Sequence, residues 1–487
     1  MDSKGGSAMF EETLSYDDVL LVPGYSEILP RDTDVSVRLG PELRLNVPFL
    51  SAAMDTVTEE RLAVALALQG GAGVIHRSLA PEAQAEQVAG VKRYLNWIIE
   101  NPVTVEEDRT LHDVRSIMDR HKVTGLPVVA GDGRLVGIIT ARDLRFRHDE
   151  GALVRDAMTR EVVVENKAAT PASARAKFDE HRIEKLPVVD ESGRLSGLIT
   201  VKDMEKHERY PNAATDKAGR LVVGAAVSPQ DYEVRIPLLL ASKVDFVVLD
   251  TAHGDSRNVI EAVAGMKKRW PSLVVVGGNV ATKEGTRHLI DAGADAVKVG
   301  VGPGSICTTR IVAGIGVPQF TAVLWCAEEA AKSGVPIIAD GGIKYSGDVA
   351  KAIAAGATAV MIGNLFAGLK EAPGREVLYE GRIYKEYRGM GSMGALKDGS
   401  GDRYGIAKDE SPVPEGIEGR VPYKGELRTY LHQLVAGLRK GMGYCGCADI
   451  AALQHYRKFV RITSAGLKES HAHDVAIVQE APNYSRQ

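Results

Sequence analysis

Short apolar runs recur along the chain, each closing on a small or polar residue and followed by a stretch of helical composition. They fall at 47–51, 73–76, 221–224, 246–250, 273–277, 296–300, 336–340 and 359–363. Runs of four or five without polar alternation predict strands buried on both faces, the signature of a parallel sheet. Between them, 282–292 and 346–355 predict helices. Eight strand–helix units predict an α/β fold, a (β/α)8 barrel. The alternative is an open doubly wound sheet.

One interval breaks the rhythm. Roughly 140 residues separate the second run from the third, far more than one helix needs. Within it the chain repeats itself at an offset of sixty. Leu126-Pro127-Val128-Val129 returns as Leu186-Pro187-Val188-Val189, and Gly133-Arg134-Leu135 as Gly193-Arg194-Leu195. Each copy ends on an apolar strand, then Thr140 with Asp143, or Thr200 with Asp203. This predicts an inserted pair of small units over 95–215, with repeats at about 100–155 and 160–215. The barrel then comprises 9–94 and 216–487. A loop insertion of this kind leaves a barrel core intact. A Gly- and charge-rich stretch at about 375–425 follows the last strand and reads as a lid or as a solvated linker.

Composition narrows the classes. The 487 residues carry a formal net charge of −4 and 44 % hydrophobic content. That suits a large multi-domain protein and gives no basis for a dedicated nucleic-acid binder. No apolar run is long enough to span a membrane, and the start lacks a signal peptide. Residues 1–8 are small and polar, and Met9 is the expected native start. Four cysteines (Cys307, Cys326, Cys445, Cys447) are too few for a disulfide framework, so a reducing cytoplasm is expected. Cys445-Gly446-Cys447 has no second ligand pair nearby and reads as structural rather than zinc-binding.

Candidate chemistry gathers at the C-terminal ends of the strands, where barrel enzymes carry function. The sixth strand runs into Gly300-Val301-Gly302-Pro303-Gly304-Ser305-Ile306-Cys307-Thr308-Thr309-Arg310. Its glycines and proline exclude helix and regular strand and allow close approach to a ligand or ion. Cys307 is either a nucleophile or an inert buried thiol. Gly341, Gly342 and Gly363 can turn bare N–H groups toward a phosphate, with Ser305 adding a hydroxyl. Asp340 beside a phosphate must face neutral hydroxyls, and a ribose diol fits. Asp250, ending the fourth strand, can take a second ribose, that of a dinucleotide. No GxGxxG match exists, so a dinucleotide is held without the Rossmann device.

The loop 300–310 and Leu14-Ser15-Tyr16-Asp17-Asp18-Val19-Leu20-Leu21 carry a resemblance, as do 51–58, 389–394, Asp402-Arg403-Tyr404 and Val413-Pro414-Glu415-Gly416. Together they resemble the inosine-5′-monophosphate (IMP) dehydrogenase family, over nearly the whole chain. The repeat pair resembles a CBS-domain pair, a module that often binds adenine nucleotides. The resemblance implies oxidation of IMP to XMP with NAD. Cys307 attacks the purine, Thr309 holds the hydrolytic water, and Arg403 with Tyr404 acts as base. IMP contacts are implied at Met54, Ser305, Asp340, Gly342, Gly363, Asn364, Tyr387, Met390, Gly391 and Glu415. NAD contacts are implied at Asp250, His253, Asn279, Gly300 and Gly302. A potassium ion is implied on the carbonyls of Gly302, Gly304 and Cys307, completed by Glu469, Ser470 and His471 of a neighbouring subunit in a homotetramer.

In the CBS pair, Thr140, Asp143, Thr200 and Asp203 are implied to touch the ribose of an adenine or guanine nucleotide. The competing reading makes them helix caps. The flap departs from the bacterial pattern, since Arg403-Tyr404 is followed by Gly405-Ile406-Ala407. GMP reductase with NADPH is the alternative enzyme; it shares the cysteine loop and typically lacks the Arg-Tyr pair. A nucleotide-sensing protein with a relic barrel is the non-enzyme alternative.

Overall fold

All eight anticipated strands form. The computed structural model describes residues 11–95, 97–166, 168–400, 413–479, 481, 483 and 484. The strands are β1 (Phe49–Ser51), β2 (Ala72–Ile75), β3 (Val223–Val227), β4 (Phe246–Asp250), β5 (Val274–Val280), β6 (Ala296–Val299), β7 (Ile337–Asp340) and β8 (Ala359–Ile362). They close into a barrel. β8 pairs with β1 in parallel, Ile362 opposite Ser51, and β2 pairs with β3 across the long insertion. Closure removes both sheet edges, which excludes the open doubly wound alternative. Every residue of β2 to β6 and of β8 is buried, which is why these runs lack polar alternation.

One end of the barrel is plugged. Val37–Arg38 pairs antiparallel with Arg44–Leu45, and the hairpin buries Leu39, Leu43 and Leu45. Its Gly40 lies against Val274, the first residue of β5, so the plug covers the N-terminal ends of the strands. The C-terminal ends remain for ligands. Helices stand where the spacing put them, at Lys283–Asp291 and Ser346–Ala354. Among the described residues no helix is long and apolar enough to cross a membrane.

Within 375–425, the region expected to be a lid or linker, both ends are sheet. β9 (Glu376–Tyr379), β10 (Arg382–Arg388) and β11 (Glu418–Pro422) form an antiparallel three-stranded sheet. Glu380 and Gly381 both take positive φ, 48° and 72°, making the tight turn between β9 and β10. That Glu-Gly step between two apolar-containing runs was the overlooked signal.

The chain divides into two compact units, Met1–Tyr94 with Asn212–Asp216 and Leu221–Gln487, and Leu95–Pro211 with Lys217–Arg220. Residues 212–215, placed by sequence in the insertion, pack with the barrel. Asn46 Nδ2 donates to the carbonyls of Asn212 and Ala213, and the Ala214 N–H donates to Ala67. The second unit repeats in structure as in sequence. Gly125–Val129 pairs with Leu135–Thr140, and Lys185–Val189 with Leu195–Thr200, with register shifts at Val128/Val129 and Val188/Val189. The copies are tied reciprocally, Leu135 N to Gly193 O and Leu195 N to Gly133 O, both 3.1 Å. Each copy has its own core, around Leu126 and Val114 in one and Leu186 and Phe178 in the other.

Candidate active site

β6 ends at Val299 and the chain enters the cysteine loop. Gly300 donates its N–H to Val280 at 2.9 Å, anchoring the loop's root to β5. Gly302 has φ +77°, and a Cβ there would meet Arg310 Cγ at 2.6 Å, so the position requires glycine twice over. Arg310 Nε donates to Val301 O at 3.2 Å and Nη2 to Val317 O at 2.6 Å, bracing the loop from behind. Burial lowers the Arg310 guanidinium below its ordinary value, while neighbouring Cys307 acts in the opposite direction.

Cys307 is partly exposed and faces the cleft. Its Sγ lies 3.1 Å from Thr309 Oγ1, and that hydroxyl donates to Glu415 Oε2 at 2.7 Å. Main-chain bonds fix the trio. The Thr308 N–H donates to Glu415 O at 2.8 Å, Glu415 N to Gly391 O at 3.0 Å, and Ile417 N to Ile306 O at 3.0 Å. Three segments far apart in sequence therefore meet as one layer: the cysteine loop, 389–391 and 415–417.

A buried cluster lies beneath. Lys298 is 1 % exposed and points into the barrel mouth from the middle of β6. Its Nζ donates to Asp250 Oδ1 at 2.7 Å, to Asp340 Oδ2 at 2.6 Å and to Asn279 Oδ1. Asn279 Nδ2 donates to Gly300 O at 2.8 Å and to Asp340 Oδ2 at 3.0 Å. Gln319, 2 % exposed, donates Nε2 to Val299 O and Asp340 O, joining the roots of the β6 and β7 loops. Sequence reasoning passed over Lys298 as part of an apolar strand. The signal was there, since a lysine inside a four-residue core strand must be paired.

The cleft at Cys307 opens to solvent. A second hollow adjoins it. They share Met54, Pro303, Gly304, Asp340, Gly341 and Tyr387, so they form one groove. Its far end holds Ser305, Gly342, Gly363 and Asn364, with Asn364 Nδ2 donating to Ser305 Oγ at 2.9 Å. Gly341 and Gly342 have φ +93° and +80°, which frees their main chain to turn at the groove wall. Tyr387 OH lies 3.9 Å from Met54 Sδ, and burial raises its hydroxyl above the ordinary value. Met390 and Gly391 line the cysteine end.

Other expected residues stand elsewhere. His253 is exposed in the loop after β4, outside the residues lining the groove. Glu469 and Ser470 end the helix Ser464–Ser470, and the His471 ring lies 5.8 Å from the Tyr345 ring. Arg403 and Tyr404 lie outside the described residues. In the second unit Thr140 Oγ1 donates to Asp143 Oδ2 at 2.7 Å, and Thr200 Oγ1 to Asp203 Oδ2 at 2.5 Å. Each pair sits at the start of a helix, Ala141–Leu144 or Val201–Glu208. Thr140 and Asp143 also border a hollow with Arg142, Arg145, Arg182 and Lys185.

Fold and groove together define a (β/α)8-barrel enzyme with a cysteine set in its ligand cleft. The family described as "IMP dehydrogenase / GMP reductase domain" matches residues 13–473. Inosine-5′-monophosphate dehydrogenase of Halalkalibacterium halodurans is 55 % identical over 477 residues, covering 98 % of each chain. That of Bacillus subtilis is 52 % identical over 483 residues, covering 98 % of this chain and 99 % of the relative. Among solved structures, a GMP reductase variant from Trypanosoma brucei in complex with guanosine 5′-monophosphate is similar at TM-score 0.84 and 40 % identity. The match covers 96 % of this chain and 99 % of that one. The chain belongs to the IMP dehydrogenase / GMP reductase family.

Proposed function

We propose that the protein oxidises IMP to XMP with NAD through a covalent intermediate on Cys307. The observation that carries this reading is the Cys307–Thr309–Glu415 chain, set at one end of a groove whose other end is lined by Ser305, Gly342 and Gly363. IMP lies along the groove with its phosphate at those glycines, its ribose diol on Asp340 and its base over Met54. C2 of the purine then faces Cys307 Sγ. The thiolate adds to C2, and the hydride on C2 departs to the nicotinamide, leaving a thioimidate. Water adds to that carbon, the C–S bond breaks, and XMP leaves with the thiol restored.

NAD supplies the hydride acceptor, and the groove wall near Asp250, Asn279 and Gly302 fits its reducible end by position. The Asp250 and Asn279 side chains are turned inward onto Lys298. Arg403, with Tyr404, is assigned as the base for hydrolysis. The Thr309 hydroxyl donates to Glu415, so its lone pairs face the thiol and can orient a water there. Glu415 can receive a proton relayed through it.

Potassium fits the loop in kind. Gly302, Gly304 and Cys307 offer neutral carbonyls, the donor type such a cation takes. The Gly304 carbonyl already accepts the Cys307 N–H at 3.1 Å and keeps a second lone pair. The ion would fix the loop's shape, with Glu469, Ser470 and His471 of a neighbouring subunit completing the shell in a homotetramer. The second unit is assigned as a CBS pair that takes an adenine or guanine nucleotide. All four cysteines are free, in keeping with a cytoplasmic protein.

A GMP reductase using NADPH is the second reading, favoured by the likeness to the trypanosomal enzyme. Both readings use Cys307, but only the dehydrogenase needs Arg403-Tyr404, which the sequence retains. The test is to incubate the protein with each substrate pair and follow reduced-nucleotide absorbance. Growth with IMP and NAD, with XMP as product, is expected. Loss with GMP and NADPH, and no growth with IMP, would select the reductase.

A further inference from the structure

Lys298 is a cation buried at the centre of a site whose ligands are held largely by neutral and acidic groups. Its placement is built into the barrel. Lys298 stands opposite Gly278 on β5 and Ile338 on β7. A Cβ at Gly278 would meet the Lys298 carbonyl at 2.6 Å and its Cβ at 2.7 Å, so glycine there leaves the lysine its room. An ammonium has three donors. Here they go to Asp250 at the end of β4, Asn279 on β5 and Asp340 at the end of β7. One cation thus holds two carboxylates from two different strands.

Those carboxylates serve different ligands in the reading above. Asp340 is assigned to the nucleotide's ribose and Asp250 to the dinucleotide's. Asp340 is gripped through Oδ2 alone, by Lys298 and by Asn279, and stays 18 % exposed toward the groove. Asn279 also holds Gly300 O, so the same network reaches the root of the cysteine loop. Burying an ammonium is costly unless it is paired, and removing one partner of such a cluster strands the others.

We propose that Lys298 is a positioning residue shared by both ligand sites: its ammonium orients Asp250 and Asp340 together and couples dinucleotide binding to nucleotide binding. This rests on the reaction proposed above. Lys298 is 1 % exposed and acts through the two aspartates. Removing the ammonium takes the shared cation from both carboxylates at once, while Asp340 keeps its bond from Asn279. Neutralising Asp250 removes one of the two carboxylates that share Lys298, so the ammonium bears more strongly on Asp340 and draws that carboxylate away from the nucleotide.

The test uses the full chain and starts with the unaltered protein, whose turnover of IMP with NAD is measured first. Absence of that turnover would sink the proposed reaction and not bear on Lys298. In Lys298→Met, KM for IMP and KM for NAD should both rise tenfold or more, while Lys298→Arg should recover most of the loss. A KM change confined to one ligand would overturn the shared role, as would an arginine variant no better than methionine. Where Lys298→Met fails to fold, Asp250→Asn decides. IMP affinity, titrated calorimetrically without NAD, should weaken at least threefold although Asp250 is on the dinucleotide side. Unchanged IMP affinity would overturn the coupling.

Discussion

Cys307 and Gly416 pair across an antiparallel bridge. The bridge joins the cysteine loop to the segment 413–417 that leads into β11. Gly416 also packs closely on Gly391 and Ser392, whose main chain a Cβ there would meet at 3.2 and 3.1 Å. The cysteine loop, 389–391 and 415–417 therefore form one hydrogen-bonded layer.

Arg403→Ala should separate the two half-reactions. If Arg403 serves hydrolysis alone, a burst of NADH about equal to the enzyme should precede a slow steady rate. Stopped-flow absorbance reads both phases. Loss of the burst would place Arg403 in hydride transfer and contradict its assignment.

Thr309→Val removes the hydroxyl between Cys307 and Glu415 while keeping the branched shape. Steady-state turnover should fall by about 100-fold, the usual worth of a positioned proton-transfer group. IMP affinity, read by titration, should change little because Thr309 lies at the reacting end. Wild-type turnover would mean that the hydroxyl only props Glu415.

Eight strands, their order and the long insertion were all readable from sequence, because a strand buried on both faces has no polar positions to blur it. Less could be read where function bends the rule. Lys298 interrupts a core strand, and its partners Asp250, Asn279 and Asp340 lie on three other strands that only the closed barrel brings together. The sheet β9–β11 was missed for a different reason. Its faces carry Tyr384, Lys385 and Arg388, whose polar ends hide the alternation, although Lys385 is 2 % exposed. The pairing of 415–417 with the cysteine loop is a contact over a long separation that no local pattern announces.

Potassium should activate and sodium should do so poorly at matched ionic strength. The loop's carbonyls belong to the residues that carry Cys307, so ion size is tied to loop shape. Dialysis against a large organic cation, followed by re-addition of each ion, reads the effect as initial rate. Equal rates with both ions would count against the carbonyl site.

Replacing 95–211 by a short Gly/Ser linker should leave IMP oxidation largely intact. Lys92 and Asp216 form an ion pair at 3.1 Å, and Lys92 also reaches Asp245 at 2.6 Å, so exit and re-entry stand side by side in the barrel unit. Residues 212–216 are kept for that reason. Response to ATP or GTP, read from IMP saturation curves, should be present in the full chain and absent from the deletion. Identical curves with and without nucleotide in the full chain would leave Thr140, Asp143, Thr200 and Asp203 as helix caps only.

The most direct measurement of the central claim is peptide mass mapping after rapid acid quench of protein mixed with IMP and NAD. A purine nucleotide adduct should appear on the peptide containing Cys307 only when both ligands are present, and should accumulate further in Arg403→Ala. Cys307→Ser should bind IMP yet form neither adduct nor NADH, since an alkoxide is far less accessible than a thiolate near neutral pH. Full turnover with the adduct absent from Cys307, or NADH production by Cys307→Ser, would contradict covalent catalysis at this residue.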